Sequence, residues 1–192
     1  MRLHELVNLL VGRMRERYAR VEGAVHVHDL CACSHKAEMR SRYPELEELQ
    51  RYRPAILVGE LVHTAVETLC EECGLQPGQR LEAEVEGLGV LTGLPDLVDD
   101  EAVYEIKFQR ALPNQLPKPH HTLQARVYAW MTGRRVARLW YVSPDGFREY
   151  ELQPLTEEEL RRHVEAWRSR RPLWPEWECK YCVWRELCER GG

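Results

Sequence analysis

Gly93-Leu94-Pro95-Asp96-Leu97-Val98-Asp99-Asp100-Glu101-Ala102-Val103-Tyr104-Glu105-Ile106-Lys107 is the stretch around which the rest of the chain arranges itself. Two β-prone runs, residues 90–98 and 102–108, flank the acidic turn Asp99-Asp100-Glu101, which predicts a β-hairpin. With the turn centred between Asp100 and Glu101, Asp96 and Glu105 stand directly opposite each other, their Cβ atoms about 5 Å apart. Strand alternation puts Glu105 and Lys107 on one face and turns Ile106 away. Two carboxylates and one ammonium then share a small space. Hard oxygen ligands so spaced suit Mg2+ or Mn2+, and the lysine can hold or polarise a water that attacks a phosphodiester.

A lone E-x-K on a surface hairpin is commonplace, its charges simply facing water. Composition makes this one less ordinary. Of the 27 basic residues four are lysines, Lys36, Lys107, Lys118 and Lys180, and the other 23 are arginines. Arginine is a poor substitute at such a position, because it stays protonated and presents a wide fork rather than a compact donor.

At 192 residues the chain is long enough for one well-cored domain, expected to span 1–192. No apolar run approaches the roughly 20 residues of a membrane span, and Met1-Arg2-Leu3-His4-Glu5-Leu6-Val7 lacks the layout of a signal peptide, so the expectation is a cytoplasmic protein with no membrane partner. A formal charge of −4 argues against a uniformly basic surface and leaves room for a local basic groove. Seven cysteines, odd in number and partly in C-x-x-C spacing, point to metal ligation rather than a secreted disulfide framework. Two asparagines and an excess of charge fit a thermophile, in which an intracellular disulfide stays open.

Upstream, Leu3, Leu6, Val7, Leu10 and Met14 recur at helical spacing and predict an amphipathic helix over 2–19. A strand-like stretch from Val25 follows, with Asp29 or Ser34 placed to cap the next helix. Pro44 and Pro54 bracket a short charged helical piece. Pro54 opens a longer helix ending before Gly74, with Val58, Leu61, Val62, Ala65, Val66, Leu69 and Cys73 as its expected buried stripe. His63 lies at the edge of that stripe, one turn after Gly59. Such a histidine is commonly a hydrogen-bonded structural residue, but the acidic hairpin makes it a ligand candidate. Leu81, Ala83 and Val85 alternate with Glu82, Glu84 and Glu86, a strand with a wet acidic face expected to join the hairpin in one antiparallel meander.

Downstream, a proline-rich loop feeds a helix over 120–131, on which Gln124 and Tyr128 are one turn apart and His121 shares their face at the N-terminal end, where backbone donors favour phosphate. Strands over 138–142 and 147–152 are joined by Ser143-Pro144-Asp145-Gly146, and Thr156 with Glu159 forms a capping box for a helix to about residue 170. The final segment carries Cys179, Cys182 and Cys188 as C-x2-C-x5-C among Trp174, Trp177, Tyr181 and Trp184. Three thiolates within ten residues are a metal signal, one ligand short for zinc or an iron–sulfur cluster. A distant fourth cysteine would tie the two ends of the chain together and remove unfolded-state entropy. Cys70 and Cys73 leave a zinc set open, with Cys179 and Cys182 as its second half.

Taken in order, these motifs resemble the CRISPR-associated RecB-like iron–sulfur exonucleases, the "Cas four" family within the PD-(D/E)xK nuclease superfamily, over nearly the whole chain. The family's early D-L-x-x-C-P-R-K is similar to Asp29-Leu30-Cys31-Ala32-Cys33-Ser34-His35-Lys36, with Ser34-His35 in place of Pro-Arg and Cys31 beside the matching Cys33. The resemblance implies a [4Fe-4S] cluster held by Cys33, Cys179, Cys182 and Cys188, from elements near 29–36 and 174–189. It implies a metal-site histidine at His63, catalytic Asp96, Glu105 and Lys107, and DNA positioning by Gln124 and Tyr128.

The expected fold is an α/β PD-(D/E)xK nuclease core: a central mixed or mainly antiparallel sheet flanked by helices and closed by a cluster joining the N-terminal region to the C-terminus. His63, Asp96, Glu105 and the Ile106 carbonyl are expected to bind Mg2+ or Mn2+, Lys107 to orient the attacking water, and Tyr128 to position the strand by stacking on a base. The implied function is exonuclease action on single-stranded DNA or free DNA ends during CRISPR spacer acquisition, with the spacer integrase as partner. Two alternatives remain: a metal-stabilised DNA-binding module with an inert hairpin, and the detached nuclease domain of a helicase-nuclease. No G-x-x-x-x-G-K-[ST] phosphate loop is present, so the chain is not the motor.

Overall fold

The computed structural model describes residues 2–189; Met1 and residues 190–192, part of the expected 1–192 domain, lie outside them. In chain order the elements are α1 (Leu3–Arg17), β1 (Val25–His26), α2 (Val27–Leu30), α3 (His35–Arg42), α4 (Pro44–Arg51) and α5 (Pro54–Glu72). Then come β2 (Gln76–Pro77), β3 (Leu81–Val85), β4 (Gly89–Gly93), β5 (Leu97–Val98), β6 (Ala102–Phe108), α6 (Pro119–Thr132), β7 (Val136–Ser143), β8 (Gly146–Leu152) and α7 (Glu157–Arg168).

The central sheet has the order β2-β5-β6-β7-β8 and is mixed, because β6 and β7 run parallel while the other neighbours are antiparallel. The parallel pair follows from α6, which returns the chain across the sheet between them. Strand alternation on β6 divides the core in two. Ala102, Tyr104 and Ile106 pack toward Val66 and Cys70 of α5, and Val103 joins Leu139, Tyr141 and the α6 residues Ala125, Val127 and Ala129. Covered on both faces, β6 is the most buried strand, and its polar Glu105 is enclosed with it.

A second sheet, β1-β4-β3, corrects the expected meander. The run 90–98 is not one strand: β4 pairs with β3 and β1, β5 pairs with β6, and Leu94-Pro95-Asp96 joins the two sheets. Pro95 has no N–H for a ladder, and this is where the strand breaks. The hairpin register itself is as expected. Leu97 faces Tyr104 and Val98 faces Val103, which continues to Asp96 opposite Glu105.

The helical stripes are shallower than their periodicity implied. On α5, Val58, Leu61 and Leu69 are 45%, 55% and 62% exposed, because the helix meets the sheet along a narrow line through His63, Val66 and Cys70. On α1, Val11 and Met14 are buried whereas Leu3, Leu6 and Leu9 face out. The Thr156–Glu159 capping box forms as written, Glu159 N–H donating to Thr156 Oγ1 at 3.2 Å and Thr156 N–H to Glu159 Oε2 at 2.9 Å.

Neither Asp29 nor Ser34 caps a helix through its side chain. Asp29 is buried between Arg20, Arg40 at 2.7 Å and His28 at 3.1 Å, while Ser34 Oγ donates to the Trp167 carbonyl. The loop they bound is fastened to the far end of the chain. Trp167 Nε1 donates to the Asp29 carbonyl, His163 Nε2 lies 2.7 Å from that of Leu30, and Trp174 Nε1 donates to that of Cys31. The wholly buried Glu178 accepts from Cys33 N–H at 2.6 Å, Leu173 N–H at 2.9 Å and Trp174 N–H at 3.2 Å, and pairs with Lys36 Nζ at 2.9 Å. Direct hydrogen bonds therefore join the N-terminal loop to the C-terminal segment.

Candidate active site and cysteine segment

Asp96 stands in the link between the two sheets, where β4 hands the chain to β5. Gly78 holds this link from behind: its N–H donates to the Asp96 carbonyl at 2.9 Å, and a Cβ there would come within 2.0 Å of the Pro95 carbonyl oxygen. Asp96 Oδ2 accepts from Ile106 N–H at 2.5 Å and lies 2.8 Å from His63 Nε2. Across the hairpin, Glu105 Oε1 pairs with Lys107 Nζ at 2.5 Å, and Lys107 donates on to Gln124 Oε1 of α6 at 3.0 Å. His63, Asp96, Glu105, Lys107, Gln124 and Tyr128 thus line one cavity of about 410 Å3, together with Arg20, Arg51 and Arg80.

The electrostatics of this cavity are strained in a way a divalent cation would relieve. Burial and the neighbouring Asp96 push the Glu105 carboxyl up to about 7, against Lys107, which pulls it down. Its Oε2 is buried with no hydrogen-bond partner. Burial disfavours the His63 imidazolium, but its contacts with Asp96 and Glu67 win and raise it to about 10. Lys107 is likewise raised by Glu105 and Asp96 against its burial. A partnerless carboxylate oxygen beside an Asp–His pair is the donor set that Mg2+ or Mn2+ takes.

Tyr128 differs from its expected role. It is 4% exposed, packed beneath Gly93 and beside Gln124 and Leu94, so it is not an open platform for a base. His121, expected at a phosphate site, has its Nδ1 3.0 Å from the Tyr141 hydroxyl, and burial lowers its pKa.

Glu67 was not anticipated. Among the described residues, His63, Glu67 and Asp96 are the set of three whose ligand atoms all lie within 4.8 Å of one another. Arg17 Nη1 donates to Glu67 Oε2 at 2.6 Å and Nη2 to Oε1, and His63 Nδ1 lies 3.3 Å from Oε1. The i, i+4 spacing of His63 and Glu67 on one helix was the available signal; nothing in the sequence linked Arg17 to them.

The cysteines fall into three groups. Cys179 lies within electrostatic reach of Cys182, Cys188, Glu178 and Lys36, and Cys33 N–H donates to the same Glu178 at 2.6 Å with Lys36 nearby. Burial raises the thiol pKa of both Cys33 and Cys179. Cys31 turns inward toward Lys107 and Glu105 and is buried. Cys70 belongs to the core between α5 and β6, with Cys73 exposed at the helix end. Among the described residues no three cysteines gather within 4.8 Å, so the zinc set of Cys70, Cys73, Cys179 and Cys182 is not assembled. Cys33, Cys179, Cys182 and Cys188 do not meet that single-ion span either. No cysteine-based cluster site is therefore evident among the described residues.

A sequence profile of the PD-(D/E)XK nuclease superfamily matches residues 75–189. The CRISPR-associated exonuclease Cas4 of Saccharolobus solfataricus is 30% identical over 199 residues, covering 94% of this chain and 95% of that protein. The crystal structure of SSO0001 superposes with a TM-score of 0.84 at 28% identity, over 97% of this chain and 98% of that one. An alkaline exonuclease from Laribacter hongkongensis shares the fold, with a TM-score of 0.54 at 18% identity over 81% and 91% of the two chains.

Proposed function

The chain belongs to the PD-(D/E)XK nuclease superfamily as a homologue of the Cas4 exonuclease and is a metal-dependent DNA-hydrolysing enzyme, and from that premise we propose that it trims DNA ends as an iron–sulfur exonuclease in CRISPR spacer acquisition. The observation that carries this reading is the partnerless, buried Glu105 Oε2 facing Asp96, His63 and Lys107 in one cavity. His63, Asp96, Glu105 and the Ile106 carbonyl would hold Mg2+ or Mn2+. The ion would supply Lewis-acid stabilisation of charge on the scissile phosphate.

The chain's own groups do the rest. Lys107, held between Glu105 and Gln124, presents an ammonium that orients the attacking water. Arg20, Arg51 and Arg80 supply positive charge along the cavity for a DNA strand with a free end. Tyr128 acts beneath the surface, by packing under Gly93 and fixing the approach of the Asp96 link to α6. Cys33, Cys179, Cys182 and Cys188 carry the [4Fe-4S] cluster within a single domain over 1–192, and the spacer integrase is the partner in the cytoplasm. No helix among the described residues is long and apolar enough to cross a membrane.

Lys107→Ala and Asp96→Ala are expected to abolish Mn2+-dependent degradation of end-labelled DNA while leaving visible absorption near 400 nm intact. Degradation at the parent rate by either variant would overturn the site.

A further inference from the structure

We propose that Glu67 is a positioning residue of the metal site, acting through His63 and held in turn by Arg17, so that the seating of α1 on α5 sets the affinity for the metal. This rests on the reading of His63 as a metal ligand given above. Glu67 is 6% exposed on a helix that is otherwise only partly covered, and it is a carboxylate. Burial of such a group costs several kcal/mol unless it is paired. Its pairing is with Arg17, the last residue of α1, through both guanidinium Nη atoms to both carboxylate oxygens. Tyr18, the next residue, donates its hydroxyl to Glu60 Oε2 at 3.1 Å and pins the same end of α1 to α5.

Two features separate positioning from ligation. His63, Asp96 and Glu105 line the cavity, whereas Glu67 does not. Both Glu67 oxygens are engaged by Arg17, while the two His63 nitrogens face opposite ways: Nε2 is 2.8 Å from Asp96, and Nδ1 is buried 3.3 Å from Glu67 Oε1. That contact lacks hydrogen-bond alignment, yet Glu67 is the acceptor the structure offers to Nδ1. A carboxylate there keeps the ring proton on Nδ1 and leaves the Nε2 lone pair for the metal, the arrangement in which an outer carboxylate raises the basicity of a ligand histidine. The chain of contacts then runs Arg17, Glu67, His63, Asp96 and Ile106 N–H, from the first helix to the central strand.

The test is titration of Mn2+ into protein dialysed free of divalent cations with its iron content unchanged, followed calorimetrically and without DNA. Glu67→Ala is expected to weaken binding about 10–100-fold, Arg17→Met to weaken it by less, and Glu67→Gln, which keeps an acceptor oxygen, to recover part of the loss. The Mn2+ concentration for half-maximal cleavage should rise in step, with a much smaller fall in maximal rate. In a His63→Ala background, Glu67→Ala should cost nothing more, as for two residues acting as one unit. Parent-like Mn2+ affinity in Glu67→Ala with only a lowered Tm would overturn the proposal, as would an undiminished cost of Glu67→Ala when His63 is absent, the mark of a direct ligand. Should Glu67→Ala not fold, Glu67→Gln and Arg17→Met carry the same comparison. Failure of the nuclease reading would appear separately, as absent cleavage at every Mn2+ concentration with the binding differences intact.

Discussion

Gly93 is the residue whose missing side chain the site needs most. A Cβ there would stand 2.6 Å from Tyr128 Cε1 and 2.7 Å from Val27 Cγ2, both in the packed core. Gly93→Ala is therefore expected to displace the Tyr128 ring, costing about 1–3 kcal/mol of stability in urea unfolding and lowering cleavage through the shifted Asp96 link. Asp29 makes a different prediction. Burial pushes its carboxyl up, but His28, Arg40 and Arg20 overcome this and hold it far below its ordinary 3.8. Its stabilisation is fully present above the unfolded-state value near 3.8 and is lost as pH falls below it toward the native one. Asp29→Asn should cost about 3 kcal/mol at pH 7, and the gap to the parent should narrow in urea titrations below about pH 4. Asp96, Glu105 and Lys107 were legible because a hairpin turn fixes which residues oppose each other, a matter of counting. Glu67 and Arg17 were not: their meeting depends on how α1 crosses α5, which no local spacing encodes.

The link between the two sheets is where the elements meet the chemistry. β4 and β5 read as one run of β-prone residues, and only Pro95 marks that they belong to different sheets. Propensity records what a segment favours locally and not which neighbour it pairs with, so the second sheet was invisible while the hairpin register was not. The same limit explains the exposed Val58, Leu61 and Leu69: periodicity gives the apolar face, and the narrow contact with β6 decides how much of it is covered. Because Gly78 backs the link so closely, Gly78→Ala must move the Pro95 carbonyl. The expected outcome is a raised Mn2+ requirement for cleavage with the cluster content unchanged, measured on the same preparation.

At the scale of the whole molecule, the N-terminal loop and the last segment form one structure. Anaerobically purified protein should carry about four irons and four sulfides per chain, lost in Cys33→Ala and kept in Cys31→Ala, because Cys31 points into the core beside Lys107 and Cys33 stands at Glu178 with the C-terminal thiols. One zinc and no iron would sink the cluster. The spacing of the three late cysteines was plain in the sequence, whereas nothing in it marked Glu178, immediately before them, as buried. Its contact with the Cys33 amide spans 145 residues. On a ribosome, which emits about 5–20 residues each second, that amide must wait for residue 178 to emerge before it finds its acceptor. Until Glu178 arrives, the half-buried Cys33 lacks the acceptor that holds its amide, and its thiol stays open to oxidants.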